Sequence, residues 1–425
     1  MAERVIFHVD ANSAFLSWSA AYRVKVLGEK TDLRQIPSVV AGDKESRHSI
    51  ILAKSMPAKK YGIQTGEPLF QALEKCPELV VVPPDYHLYV EASRHFVAML
   101  RQFSPVVEQY SIDEAWVDMT GTRRLFGDPR LAAEKMRRQI WEELGFTVNV
   151  GISSNKLLAK MAGDFEKPNK VHTLFPEEIE DKFWPLPVRD LFLVGPATEA
   201  KLKRMGIYTI GQLAQTEERM LKQKLGKHGQ TIWHFANGRN AELVAPEPAE
   251  NKGYGNSVTT ARDVTTREAG YQVLLSLCET VAMRMRKDGK FGSCLSIHLR
   301  TNAFEHFAHQ KSLSGATNIT GELFRNVCIL LDEAWDGITP LRQLGVQVTR
   351  LTSEPYQQYD LFSGLSPVQY ERRMRLDETV DAIRDKYGED SIRRAKFAQD
   401  AENHMAGGLS KARRTGVTKP IPQEF

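Results

Sequence analysis

Two apolar, β-rich runs that each meet a carboxylate constrain this chain most. Val5-Ile6-Phe7-His8-Val9 ends at Asp10, and Asp113-Glu114 introduces Ala115-Trp116-Val117-Asp118 after Tyr110-Ser111-Ile112. Side chains alternate between the faces of a strand, so adjacent Asp113 and Glu114 reach one site only from a turn or strand end, for which Ser111-Ile112 serves. Asp10 then has to come from a neighbouring strand. Acids carried on a rigid sheet could hold two Mg²⁺ ions around a transferring phosphoryl group, because hard cations take carboxylate oxygens and leave positions open for phosphates. That chemistry is a nucleotidyl transferase's. An Asp before Asn12-Ser13 also reads as a helix N-cap after a strand, and an Asp-Glu pair as solvated charge.

The 425 residues exceed one compact core, so about two to four domains are expected. Cys76, Cys278, Cys294 and Cys328 show no metal-ligand spacing, which argues against a zinc site and a secreted disulfide scaffold. With no signal-peptide pattern and no apolar run near ~18 residues, the expected location is the cytoplasm. Lys and Arg balance Asp and Glu at 21 each over residues 1 to 166, but stand at 12 against 8 over 167 to 240 and 11 against 9 over 253 to 352. A mild basic excess downstream of the acids suits a polyanion passing the acidic site.

Periodicity predicts strands at 3–10, 37–42, 49–53, 79–82, 106–111, 115–119 and 147–152, and helices at 13–27, 54–61, 69–75, 86–102, 129–144 and 155–164. That order describes an α+β sheet with helices on one face. Val244-Ala245-Pro246-Glu247-Pro248-Ala249-Glu250 reads as an extended linker. Residues 253 to 351 show strand, helix, two or three strands, helix and strand. The tail holds an amphipathic helix near 380–386 and a basic end with Lys411, Arg413, Arg414 and Lys419 that reads as flexible.

Five ordered motifs carry a resemblance over nearly the whole chain. They are His8-Val9-Asp10-Ala11-Asn12-Ser13-Ala14-Phe15, Pro57-Ala58-Lys59-Lys60-Tyr61-Gly62-Ile63, Ser111-Ile112-Asp113-Glu114-Ala115, Gly151-Ile152-Ser153-Ser154-Asn155-Lys156 and Lys167-Pro168-Asn169. The chain resembles the Y-family translesion DNA polymerases, in their bacterial DNA polymerase IV and UmuC-like group. The resemblance implies a right hand: palm at 1–14 and 77–166, small fingers at 15–76, helical thumb at 167–240, linker at 241–252, α+β little finger at 253–352 and a tail at 353–425. It implies a low-fidelity, template-directed polymerase that adds dNTPs to a primer on template DNA, bypasses lesions, lacks proofreading and works as a monomer.

Carried over by position, Asp10, Asp113 and Glu114 are the catalytic metal ligands, with the Ala11 backbone carbonyl added. Phe15 matches a steric gate that collides with a ribose 2′-hydroxyl, though an apolar helix residue is also ordinary core. Lys59 and Lys167 match triphosphate contacts. The DNA polymerase IV pattern more often has Tyr and Arg at Met56 and Lys59; an ammonium lacks the guanidinium's two-pronged grip and Met has no hydroxyl, which leans toward UmuC-like members.

Helix-hairpin-helix elements at 186–240 offer Gly195, Lys201, Lys227 and Gly229 for DNA phosphates, although the family usually has Gly at Leu193. Ser257, Thr259 and Arg300 are candidate contacts to the DNA backbone on exposed strand faces. Gln358-Tyr359-Asp360-Leu361-Phe362 resembles the peptide by which bacterial polymerases bind the sliding clamp, through Gln358, Leu361 and Phe362. A noncatalytic accessory DNA-binding protein need not keep the acids, and a nuclease or nucleotide cyclase has little use for Phe15 or this peptide.

Overall fold

The computed structural model describes residues 4–43, 49–247, 250–354, 367–397 and 404–405. They fall into two compact units, one ending at residue 247 and the other beginning at 250. Gln358, Leu361, Phe362 and the basic end at Lys411, Arg413, Arg414 and Lys419 lie outside the described residues.

In chain order the first unit has β1 (Ile6–Ala11), α1 (Ala14–Lys25), β2 (Ser38–Ala41), β3 (Ile51–Lys54), α2 (Met56–Lys60), α3 (Leu69–Lys75), β4 (Val80–Val82), α4 (Tyr86–Arg101), β5 (Val107–Gln109), β6 (Glu114–Asp118), α5 (Arg123–Phe126), α6 (Pro129–Gln139), β7 (Val148–Ser153), α7 (Lys156–Gly163), β8 (Val171–Thr173), α8 (Pro196–Arg204), α9 (Ile210–Gln215) and α10 (Glu218–Ala236). Five strands make one sheet in the order β5-β6-β1-β7-β8, with β1 antiparallel to both neighbours. The short strand β8, absent from the sequence reading, pairs with β7 in parallel.

Strand alternation sorts this sheet into two chemically different faces. Phe7 and Val9 of β1, Ala115 and Val117 of β6, and Val148, Val150 and Ile152 of β7 turn into one apolar core under α1, α4 and α6. Leu16, Trp18 and Ala20 tie α1 to that core, although the boundary at residue 15 assigns it to the fingers. The other face carries His8, Asp10, Glu114 and Trp116. One helix covers it, so the expectation of helices on one face is corrected: α7 crosses there because Gly151 has no side chain, a Cβ at that position standing 1.9 Å from the Ala159 carbonyl oxygen.

A smaller sheet, β3-β2-β4, closes its own core with Ile51, Ala58, Ile63, Leu69 and Ala72. The helices after β8 form a third core, where Leu202, Ile210, Leu213 and Ile232 pack with Leu157, Leu158 and Met161 of α7. The helix predicted to 144 ends as α6 at Gln139 and continues as one π turn over Ile140–Leu144.

The second unit has β9 (Gly253–Val264), α11 (Arg267–Lys287), β10 (Phe291–Thr301), β11 (His306–Thr317), α12 (Thr320–Ala334), β12 (Leu341–Thr352) and α13 (Pro367–Tyr387). Its antiparallel sheet runs β11-β10-β12-β9, and Ile297, Leu299, Leu344 and Val346 bury one face against Leu274, Val281, Leu323 and Val327 of α11 and α12. The tail helix is corrected in length, spanning 21 residues instead of a short stretch near 380–386. Both units are α+β, and no helix among the described residues is long and apolar enough to cross a membrane.

Candidate active site on the acidic face of the five-stranded sheet

Register brings the three sequence-predicted acids together. Asp10 and Glu114 are directly paired across β1 and β6, so their side chains leave the same face as neighbours. Asp113 stands one residue before the strand, where the Ala11 N–H donates to its carbonyl at 2.9 Å. The expected turn forms: the Tyr110 and Ser111 N–H groups both bond the Glu114 carbonyl oxygen, and the Ser111 hydroxyl donates to Asp113 Oδ1 at 2.6 Å.

Each paired acid already faces a cation. Lys167 bonds Asp10 and also Asp164 at 2.9 Å, while Lys160 bonds Glu114, which further accepts from His8 Nε2 at 2.9 Å. Burial alone would raise the Glu114 carboxyl, but the hydrogen bonds from His8 and Lys160 outweigh it and hold the group at about 2. For Asp10 the balance reverses: burial lifts its carboxyl above the ordinary range, and the Lys167 ammonium offsets only part of that. Burial also holds His8 below its ordinary value, so the ring is neutral and donates to the ionised Glu114. Lys160 lies beside the rings of Tyr110 and Phe192, at 5.5 and 5.4 Å from their centres, contacts that steady a cation.

Asp10, Asp113 and Glu114 offer only oxygen donors, the set a hard divalent cation prefers. The two ammonium groups mark where this face draws positive charge. Among the described residues no three carboxylate, histidine or thiol groups converge closely enough to cage an ion as they stand. By its chemistry the donor set fits a divalent cation, which would take the place of the Lys167 and Lys160 contacts to Asp10 and Glu114.

Beside Asp10 opens a cavity of about 260 Å³ lined by Asp10 to Ser13, Lys54 to Met56, Lys59, Lys167 and Pro168. Lys59 and Lys167, matched separately by sequence, thus share one space. A polar lattice holds the Lys167 loop there: Asn12 Oδ1 accepts from the Asn169 N–H at 2.9 Å, and Asn149 donates to the Glu166 carbonyl at 2.7 Å. Phe15, in the first turn of α1, is half-buried and stacks on Tyr89 at 4.5 Å with Tyr86 edge-on at 6.2 Å.

His8, Lys54 and Lys160 escaped the sequence reading. His8 was within its reach, standing two residues before Asp10 and so on the same face; for the lysines no pattern in the chain names the partner.

Leu193 adopts φ 72°, the left-handed conformation that glycine would take there, so the first hairpin keeps its turn with Leu in place of Gly. Gly195 follows as the N-cap of α8, with Lys201 inside that helix. In α10 the positive φ belongs to Gly226, after which Lys227 starts the second helical stretch. Gly229 is buried, and a Cβ there would lie 2.3 Å from the Leu221 carbonyl oxygen, so it serves the packing of the hairpin's two arms.

In the second unit Ser257, Thr259 and Arg300 share the sheet face opposite the helices. Ser257 pairs with Gly345, Thr259 with Gln343, and Arg300 with Gln343 and His306. Ser257 and Arg300 line a cavity of about 570 Å³ along that face with His298, His306 and Gln347.

Comparisons with known proteins agree with this arrangement. Residues 9–164 match the impB/mucB/samB family, residues 251–361 that family's C-terminal domain, and residues 189–240 the thumb domain of DNA polymerase-iota. A curated relative, DNA polymerase IV of Clostridium acetobutylicum, is 42% identical over 399 residues, covering 94% of this chain and 99% of its own length. DNA polymerase IV of Acetivibrio thermocellus is 36% identical over 94% of this chain and 98% of its own, and DNA polymerase IV 2 of Bacillus subtilis is 37% identical over 93% and 95%. These names stand on the DNA polymerase IV side of the group, despite Met56 and Lys59. A solved Y-family DNA polymerase chimera shares the fold at a TM-score of 0.70 and 21% identity, over 82% of this chain and all of its own. The chain belongs to the impB/mucB/samB family of Y-family DNA polymerases.

Proposed function

We infer that this translesion DNA polymerase extends a primer on template DNA with dNTPs through a centre of two Mg²⁺ ions held by Asp10, Asp113 and Glu114, with the Ala11 carbonyl as a further ligand. The observation that carries the reading is the direct pairing of Asp10 with Glu114, with Asp113 joined to Ala11 by a backbone bond. Ions bound there would acidify the primer 3′-hydroxyl and neutralise charge on the leaving pyrophosphate. The chain's own residues do the positioning. Lys167 and Lys59 hold the triphosphate in the cavity beside Asp10, and Lys167 leaves Asp10 as substrate arrives. Primer extension with Mg²⁺ and dNTPs tests the reading; absence of extension by the wild-type chain would end it.

Phe15 sets sugar choice by occupying the space of a 2′-hydroxyl. Phe15→Ala should raise ribonucleotide incorporation relative to deoxyribonucleotide by roughly 10²-fold, as read from the ratio of the two kcat/KM values. An unmoved ratio removes Phe15 from that role.

The five-stranded sheet acts as palm, the small sheet as fingers and the helices within residues 167–240 as thumb. Gly195, Lys201, Lys227 and Gly229 contact DNA phosphates, Gly229 also packing the second hairpin. The second unit acts as little finger, where Ser257, Thr259 and Arg300 follow the DNA backbone. The chain works as a monomer in the cytoplasm and meets the sliding clamp through Gln358, Leu361 and Phe362. Replacing Leu361 and Phe362 by alanine should cut clamp-stimulated synthesis about tenfold or more while clamp-free synthesis continues. Equal stimulation of wild type and variant removes the clamp peptide from this account.

A further inference from the structure

We propose that Lys54, which no sequence motif singles out, is a third cation for the nucleotide's polyphosphate. The inference rests on the polymerase reading and adds a phosphate contact to it. Lys54 is the last residue of β3, immediately before Ser55, whose hydroxyl caps α2 by accepting from the Ala58 N–H at 3.1 Å. Its backbone is therefore fixed by both a strand pair and a helix start, and the residue is part of the wall of the cavity that holds Asp10, Lys59 and Lys167.

The charges around that cavity do not balance. Three lysines and one aspartate line it, and the aspartate is already bonded to Lys167. Among the described residues neither Lys54 nor Lys59 joins an ion pair. The nearby carboxylate of Glu67 is engaged by Lys75 at 2.6 Å. Lys54 and Lys59 both line this small space outside any ion pair among the described residues, and their like charges repel until an anion enters. Burial first, and then the charges of Lys59 and Lys75, hold the Lys54 ammonium below the usual lysine range against the opposing pull of Glu67.

Lys54 Nζ donates to the Ile63 carbonyl at 2.5 Å. A neutral acceptor satisfies one donor and leaves the charge uncompensated, so this bond parks the side chain without neutralising it. A polyphosphate offers full negative charge in its place. Met56, exposed on the same wall, has no group to bind phosphate, and Lys59 brings a single point charge. Lys54 supplies what those two positions lack.

The test uses the full-length chain and two substitutions, Lys54→Met, which keeps length and removes charge, and Lys54→Arg, which keeps charge. Binding of inorganic tripolyphosphate to the metal-free protein, followed by calorimetry, should weaken about tenfold in K54M and stay within about threefold in K54R. In primer extension K54M should raise the KM for dNTP about tenfold with a smaller change in kcat. A lysine that merely staples the Ile63 carbonyl predicts the reverse: a lower melting temperature in K54M with tripolyphosphate affinity and KM intact, and that pattern overturns the proposal. If K54M does not fold, Lys54→Gln replaces it under the same criteria. Should the wild type fail to extend primers while K54M still loses tripolyphosphate, the polymerase reading falls and the phosphate site stands.

Discussion

Asp113→Ala should lower Mg²⁺-dependent primer extension by about 10³-fold or more while leaving melting temperature and affinity for primed DNA near wild type. Asp113 is the cleanest of the three acids to remove. Its carboxylate accepts from Ser111 and enters no ion pair among the described residues, and the bond that ties it to β1 runs from the Ala11 N–H to its backbone carbonyl. Alanine keeps that backbone bond and deletes the charge together with the one hydrogen bond from the Ser111 hydroxyl. Glu114→Ala is a poorer probe, because it leaves the neutral His8 donor and the Lys160 ammonium without their acceptor in a nearly closed site. Such stranded groups cost about 1–3 kcal/mol apiece, so lost activity there would mix chemistry with stability. Asp10→Ala has a milder form of the same fault, since Lys167 keeps Asp164 as a partner. Extension that persists in Asp113→Ala at wild-type rate would take the catalytic role away from this face.

What the sequence displayed of this site follows from strand alternation. Apolar runs that meet an acid announce strands with one dry face, and the dry residues Phe7, Val9, Ala115 and Val117 do form the core. Pairing partners are another matter, because nothing in a strand's own residues says which neighbour it meets or in what register. The match of Asp10 to Glu114 became an expectation only through motif resemblance. Contacts between segments were illegible for the same reason: Lys160 and Glu114 are 46 residues apart, and their ion pair is set by Gly151 admitting α7 onto the acidic face.

Leu193 shows a different kind of gap. Leucine stands where the family usually has glycine, yet the Val194 N–H to Leu191 carbonyl bond at 2.9 Å holds the turn and the leucine bears the positive φ. Local propensity was overruled by the fold around it. The first part of the tail helix α13, before about residue 380, escaped through chemistry instead of topology. The helix's inward positions include Tyr370, Asp377 and Arg384, all buried, and Asp381 beside them, so helical spacing is present but in charged residues. A search for apolar periodicity passes over such a stripe.

That stripe leads to the second large effect: Glu279→Ala should destabilise the second unit by about 3–5 kcal/mol, read as a shift in its urea midpoint at pH 7. Glu279 sits on α11 with 2% of its surface exposed and is bonded by Arg394 and by Arg384 Nη1 at 2.6 Å. A few residues on, Arg286 binds Asp381 at 2.6 Å and Asp377 at 3.2 Å, and Asp377 accepts the Thr320 N–H at 2.8 Å where α12 begins. Alanine would strand the Arg384 guanidinium, 4% exposed, with only the Ile392 carbonyl left to it among the described residues. The pH dependence has a definite sign. Burial would raise the Glu279 carboxyl, but the two guanidiniums outweigh it and hold it below the ordinary range. A depressed carboxylate contributes stability that is present above its unfolded value, about 4.3, and is lost as pH falls through the folded one. Wild-type stability should therefore decline below about pH 4.3 more steeply than that of Glu279→Ala, which lacks the proton-binding site. Parallel acid limbs together with an unmoved midpoint at pH 7 would mean that α13 is held to this unit by something other than its ion pairs. The charge stripe would then be incidental, because a buried pair that contributes nothing when one partner is deleted cannot have been compensating for the desolvation of the other.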